Sequence, residues 1–159
     1  MKAYHTPLGA AANETLRADF AKLAAVPDES PILHIEKREI KALRKADGVV
    51  WFDFATLCGG PRSQNDYLEL ANRFHAVILS DVPQMTPRMA SEARRFTWLI
   101  DVFYDHKVKL LMSAAVPAEE LYVEGPMANE FARTVSRIVE MQSKEYLDTP
   151  RRIVDTSLT

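Results

Sequence analysis

His75-Ala76-Val77-Ile78-Leu79-Ser80-Asp81-Val82-Pro83 and Lys109-Leu110-Leu111-Met112-Ser113-Ala114-Ala115-Val116-Pro117 are the two stretches from which the fold is read. In the first, residues 76–80 are almost continuously apolar, the pattern of a strand buried on both faces, and the run ends at Asp81. The second stretch repeats the pattern over 108–114 and ends on small residues before Pro117. Between them Thr86-Pro87 offers a capping hydroxyl and a proline suited to a first helical turn. Met89, Ala93, Phe96, Ile100 and Phe103 then recur at helical spacing. An apolar strand, a helix and a second apolar strand imply a right-handed parallel crossover.

Working outward, the order of elements continues on both sides. Cys58-Gly59-Gly60-Pro61-Arg62 reads as irregular, and Ser63 with Asp66 reads as a capping box. The helix it opens runs to about Phe74, burying Tyr67 or Leu68, Leu70 or Ala71, and Phe74. Ile32, His34 and Glu36 alternate with Leu33 and Ile35. Asp47-Gly48 lies between the runs Glu39 to Leu43 and Val49 to Phe54, which predicts a hairpin. Residues 11–25 predict a helix capped by Asn13, with Leu16, Phe20 and Leu23 on one face and Pro27 beyond its end. After the second strand, Ala118 to Tyr122 reads as a short helical turn. A last helix runs from about Asn129 to Tyr146, with Phe131, Val135, Ile138 and Met141 inward. The expectation is one α/β domain over residues 1–147 and a flexible tail over 148–159. The domain is a mixed sheet with a parallel strand–helix–strand core and helices on both faces.

The 159 residues suffice for one real core. With 20 basic and 22 acidic residues the net charge of −2 gives no long-range attraction for nucleic acid or anionic lipid. Local basic clusters occur at Lys37, Arg38, Lys41, Arg44 and Lys45, and at Arg151 and Arg152; solvated surface is their ordinary role. No apolar run approaches the roughly 20 residues of a membrane span. The start, Met1-Lys2-Ala3-Tyr4-His5, lacks the apolar core of a signal peptide. Cys58 is the single cysteine, so no disulfide forms within the chain, and a reducing, cytoplasmic setting is expected.

Few residues offer chemistry. Asp81, at the carboxyl end of a buried strand, stands where open α/β sheets bind ligands and where a carboxylate would hold magnesium through water. The plainer reading is that it caps the loop Asp81-Val82-Pro83. The stretch Cys58 to Ser63, between a strand and a helix, occupies what reads as the topological place of a phosphate loop. No Gly-x-x-x-x-Gly-Lys-Ser/Thr occurs, and the lysine that would reach phosphates is missing. Cys58 has no base beside it in sequence, and neither it nor Ser113 belongs to a hydrolytic constellation. His5, His34, His75 and His106 show no metal-ligand spacing, so no metal site is expected. Arg94 and Arg95 lie on the helix after Asp81, and Arg133 and Arg137 lie one turn apart on the last helix. Arginines so placed would reach a nucleotide on another domain or subunit, or would simply pair with Glu130 and Glu140.

Cys58 to Tyr67, Phe74-His75 through Asp81-Val82-Pro83, Glu92 to Phe96, Ser113 to Pro117, Leu121-Tyr122, Phe131 to Arg137 and Glu140 to Ser143 together resemble the ZapE-like ATPases. That family has bacterial cell-division members and mitochondrial relatives, and the likeness runs from about Tyr4 to Leu147. It implies an AAA-type P-loop ATPase that uses ATP and magnesium. It also implies that this chain is the C-terminal half, without the phosphate loop, so that it would not hydrolyse ATP alone. The N-terminal ATPase half of the same protein would be its partner; a homo-oligomer is possible, and FtsZ is the implied protein partner in bacterial members. Asp81-Val82-Pro83, a helix, Ala115-Val116-Pro117 and Leu121-Tyr122 parallel the order in the family's ATPase half, as if this were a degenerate P-loop copy. In that register Asp81 would retain a weak nucleotide-side role, and Arg133 or Arg137 would serve as an arginine finger. The alternative is a free-standing protein-interaction module with no nucleotide role.

Overall fold

The computed structural model describes residues 1–150. Its elements are β1 (Tyr4–His5), α1 (Ala10–Leu23), β2 (Ile32–Ile35), β3 (Arg38–Lys41), β4 (Arg44–Ala46), β5 (Val49–Asp53) and α2 (Phe54–Cys58). There follow α3 (Gln64–Arg73), β6 (Ala76–Val82), α4 (Ala90–Asp105), β7 (Lys109–Ala114), α5 (Phe131–Glu140) and α6 (Lys144–Asp148). A 3₁₀ turn, Pro87–Met89, leads into α4, and another, Ala118–Glu120, follows β7.

The expected crossover is present. β6 pairs in parallel with β7, Val77 opposite Leu110 and Leu79 opposite Met112. The sheet has the order β1-β7-β6-β5-β4, with only β4 antiparallel to its neighbour. The strand period of two separates the apolar residues onto two faces. Val50, Phe52, Val77, Leu79, Leu110 and Met112 join the larger cluster, with α3, α4 and α5. Val49, Trp51, Ala76, Ile78 and Leu111 join a smaller one beneath Leu16 and Phe20 of α1. On the larger face α4 buries Ala93, Phe96, Leu99, Ile100 and Phe103. Met89, expected in that stripe, lies in the 3₁₀ turn and is only partly buried.

Several local features depart from the sequence reading. Helix α1 starts at Ala10 with Gly9 as its N-cap; Asn13 lies inside the first turn, its N–H bonded to the Gly9 carbonyl. The hairpin turn at Asp47-Gly48 is right: both residues have positive φ (50° and 75°), as a two-residue type I′ turn requires. Its partner for β5, however, is Arg44–Ala46, because Arg38–Lys41 turns back earlier to pair with β2 in a separate two-stranded sheet. Cys58 is not in an irregular stretch but ends the short helix α2, which Asp53 caps through the Thr56 N–H (2.7 Å). The single last helix is two. Ser143 accepts the Tyr146 N–H and caps α6, so the chain breaks after Glu140 and restarts. The capping box of Ser63 and Asp66 forms as read. Residues 151–159, including the second basic cluster and most of the expected tail, lie outside the described residues.

β1 carries no signal in the sequence pattern. It is two residues long and pairs with β7 from the far end of the chain, Tyr4 opposite Met112. The Tyr4 hydroxyl donates to the Val116 carbonyl (2.6 Å) and fixes β1 against the loop that leaves β7.

Candidate functional site

Ligands in open α/β sheets bind beyond the carboxyl ends of the strands, where the connections diverge to opposite faces. Here that point lies between β1 and β7. The chain leaves β1 toward α1 on one face and leaves β7 toward α5 on the other. The Cys58–Ser63 stretch is therefore not the topological place of a phosphate loop, since β5 and β6 are followed by helices on the same face. The equivalent loop is His5-Thr6-Pro7-Leu8-Gly9, which carries no lysine.

Asp81 sits in β6 at a left-handed backbone angle (φ 62°), at a register irregularity opposite β7. Its N–H donates to the Ser113 Oγ (3.0 Å), so the bulge is held by a fully buried hydroxyl. The Asp81 carboxylate is exposed and makes no hydrogen bond or ion pair among the described residues; it does not cap the loop. With Asp53, Gly59, Pro83 and Glu92 it lines an open cavity of about 440 Å³. The carboxylates of Asp53 and Glu92 are engaged, by Thr56 and Arg95. Three carboxylates and no cationic side chain line this cavity, an electrostatic setting that repels a triphosphate. No lysine or arginine stands in this cavity to meet phosphate, and its carboxylates are of the kind that would face a cation.

The Cys58 thiol is fully buried beneath Tyr67, whose hydroxyl donates to the Leu57 carbonyl (2.9 Å). Burial pushes the thiol up to about 12, which keeps it protonated and inert. The histidines stand apart, held by backbone carbonyls: His5 at Lys2, His75 at Asp47 and His106 at Val102. No cluster of three or more metal-ligating side chains occurs among the described residues. In the first basic cluster Arg38 grips Asp66 and Arg44 grips Asp28 with two bonds each, and Lys45 pairs with Glu29. The cluster is largely neutralised and forms no basic platform.

The four singled-out arginines divide into two pairs. Arg95 donates to the Cys58 carbonyl and to Glu92. Arg137 pairs with Asp101 of α4, not with Glu140, and lies over the Tyr104 ring at 5.0 Å. Glu140 instead accepts the Tyr104 hydroxyl (2.6 Å). Arg94 and Arg133 are exposed and form no ion pair among the described residues; the expected Arg133–Glu130 pair is absent. Neither Arg133 nor Arg137 lines the Asp81 cavity.

A second cavity, about 350 Å³, has no counterpart in the sequence reading. It lies between α4 and the loop 122–130. Trp98 and Met127 line it together with buried Tyr122 and Phe131. The loop is braced by the Tyr122 hydroxyl donating to the Pro126 carbonyl (2.6 Å). Gly125 (φ 130°) allows this: a Cβ there would stand 2.6 Å from the Tyr122 hydroxyl and 3.0 Å from the Pro87 Cα. The sequence signal was Trp98 and Met127, large apolar residues off the core stripes.

The parallel crossover, the diverging connections and the helices on both faces define a P-loop NTPase-like α/β domain. The AFG1-like ATPase family matches residues 1–150, and the chain belongs to that family. Cell division protein ZapE of Escherichia coli (strain K12) is 47% identical over 120 residues, 76% of this chain and 32% of that protein. Lactation elevated protein 1 homolog B of Danio rerio is 33% identical over 147 residues, covering 72% and 29% respectively. The chain thus spans less than a third of the length of these curated relatives. No solved structure matches it. No described helix is long and apolar enough to cross a membrane.

Proposed function

We propose that this chain is the non-catalytic C-terminal part of a ZapE-like member of the AFG1-like ATPases. The observation that carries this reading is the family match over residues 1–150 of a chain without a phosphate-loop motif. ATP and magnesium would be bound by the ATPase half of the full-length protein, against which this part packs, in the cytoplasm. The likeness to a cell division protein supports a role in remodelling division-ring protein, with FtsZ as the partner in bacteria. Homo-oligomers would place one copy's arginines near another's nucleotide.

Of the arginines, Arg133 is the better candidate for a finger. It is exposed and unengaged, whereas Arg137 is held by Asp101 and Tyr104. Phe131 packs edge-on against Tyr122 (5.7 Å), which sets the start of α5, and so Arg133, beside the loop that follows β7. In the full-length protein Arg133→Ala should lower ATP turnover by roughly 10³–10⁵-fold, as loss of an arginine finger does. A loss below about threefold with folding intact would remove Arg133 from that role. Calorimetry of this chain with magnesium and ATP should show no binding; micromolar binding would overturn the reading of a part without its own nucleotide site.

The alternative, a protein-interaction module with no nucleotide role, is favoured by the apolar cavity beside α4. It predicts full ATP-independent partner binding and normal turnover in Arg133→Ala.

A further inference from the structure

The cavity between α4 and the loop 122–130 has the form of a receptor for one side chain. Its volume, about 350 Å³, is at the small end of ligand pockets. Its lining is chiefly aromatic and aliphatic, with two charges. Arg94 stands on the α4 wall and Glu130 on the opposite wall, where the loop enters α5. Both are exposed, and neither has an ion-pair partner among the described residues. At the lip Met127 is 63% exposed and held at φ 66°, and nearby Val123 is 60% exposed. Soft, exposed methionine beside tryptophan suits an apolar anchor of variable shape.

We propose that this cavity binds an extended peptide segment of a protein partner. One large apolar residue of the segment enters beside Trp98, with a carboxylate on one side facing Arg94 and a cation on the other facing Glu130. The two wall charges supply the argument for this occupant. Both charges are exposed and hydrated, so they act as selectors at the rim: a segment carrying the two complementary charges is preferred over an apolar or singly charged one. The opposed charges also fix the direction in which the segment lies. The proposal deepens the partner-binding part of the reading above and does not depend on any arginine acting on nucleotide.

The test is selection of random twelve-residue peptides displayed on phage against the 159-residue chain. The expected consensus is Leu, Met or Phe with Asp or Glu within about two residues on one side and Lys or Arg on the other. Synthetic peptides of that consensus should bind with a blue shift of Trp98 emission. Trp51, already buried with its indole N–H on the Ser80 hydroxyl, should not respond. Trp98→Ala should weaken binding at least about tenfold. Arg94→Glu, an exposed change that spares the core, should abolish the preference for the acid alone. The double exchange Arg94→Glu with Glu130→Arg should select the reversed charge order. An absent consensus, or one indifferent to both Trp98→Ala and the charge exchange, would overturn the proposal. Normal ATP turnover in Arg133→Ala together with a charge-dependent consensus would discard the arginine finger and leave the peptide site standing.

Discussion

The two faces of the central sheet are covered unequally. One carries α3, α4 and α5 with the β2–β3 hairpin, and its cluster extends from Tyr4 to Tyr146. The other is covered by α1, through Leu16 and Phe20, and by Ala24 just beyond its end. The strands contribute alike to both, since alternate residues of β5, β6 and β7 are buried on each side. What differs is how many elements must move before water enters. The thick face is held by many mutual contacts. The thin face depends on one helix whose N-cap, Gly9, gives no side-chain bond.

The largest expected effect tests the thick face. Phe96 is fully buried and packs near both Phe54 (6.1 Å) and Phe131 (6.2 Å). Phe96→Ala should cost about 3–5 kcal/mol, read from urea unfolding. A cost below about 1 kcal/mol would mean that this face is not the main core.

Alkaline pH should weaken the same face. Burial raises Cys58 from 9.0 to about 12 and also raises the phenols of Tyr4, Tyr67 and Tyr146. The folded chain therefore holds protons that the unfolded chain releases above pH 9, so stability falls as pH rises from 9 toward 12. The Cys58 thiol alone would contribute up to roughly 1.4 kcal/mol per pH unit within that window. Urea midpoints at about pH 8 and about pH 10 measure it. A flat profile would contradict the burial of these groups.

Along α5 the contrast is smaller but sharper. Arg137→Ala should destabilise by about 1–3 kcal/mol, through loss of a half-buried charge-assisted bond and the contact with Tyr104. Arg133→Ala, one turn earlier, should fall within about 0.5 kcal/mol. Equal thermal shifts would erase the distinction between an engaged and a free arginine. Finally, amide exchange should release α1 before α4, because local opening of one helix exposes less surface than opening the thick face. Exchange of both helices at the same rate would show that the sheet opens as one unit.

How far the sequence could be read follows the range of each interaction. The crossover strands were legible because a short, almost unbroken apolar run that stops at a charge and a proline suits a doubly buried strand and little else. The capping box and the Asp47-Gly48 turn are local chemistry and emerged intact. The hairpin partner was misjudged because Arg38–Lys41 and Arg44–Ala46 are both short and polar outward, and only the register separates them. The break after Glu140 was hidden because Met141 and Tyr146 keep an apolar spacing across it. At the candidate sites, sequence placed Asp81 at the carboxyl edge but not among Asp53 and Glu92, which come from other elements. It placed Arg133 and Arg137 on one helix but could not see Asp101 beneath one of them. The family resemblance, by contrast, rests on many short motifs in order, and those do not require knowledge of contacts.

The pairing of β1 with β7 has a temporal side. Tyr4 bonds to a carbonyl 112 positions later in the chain. At a synthesis rate of about 5–20 residues per second, the ribosome delivers that partner roughly 5–20 s after Tyr4 is made. Throughout that interval β1 has no strand to pair with, because β7 is its one neighbour in the sheet. The last parallel pairing of the sheet is therefore closed by its first-made strand, and any pause in translation before β7 delays that closure.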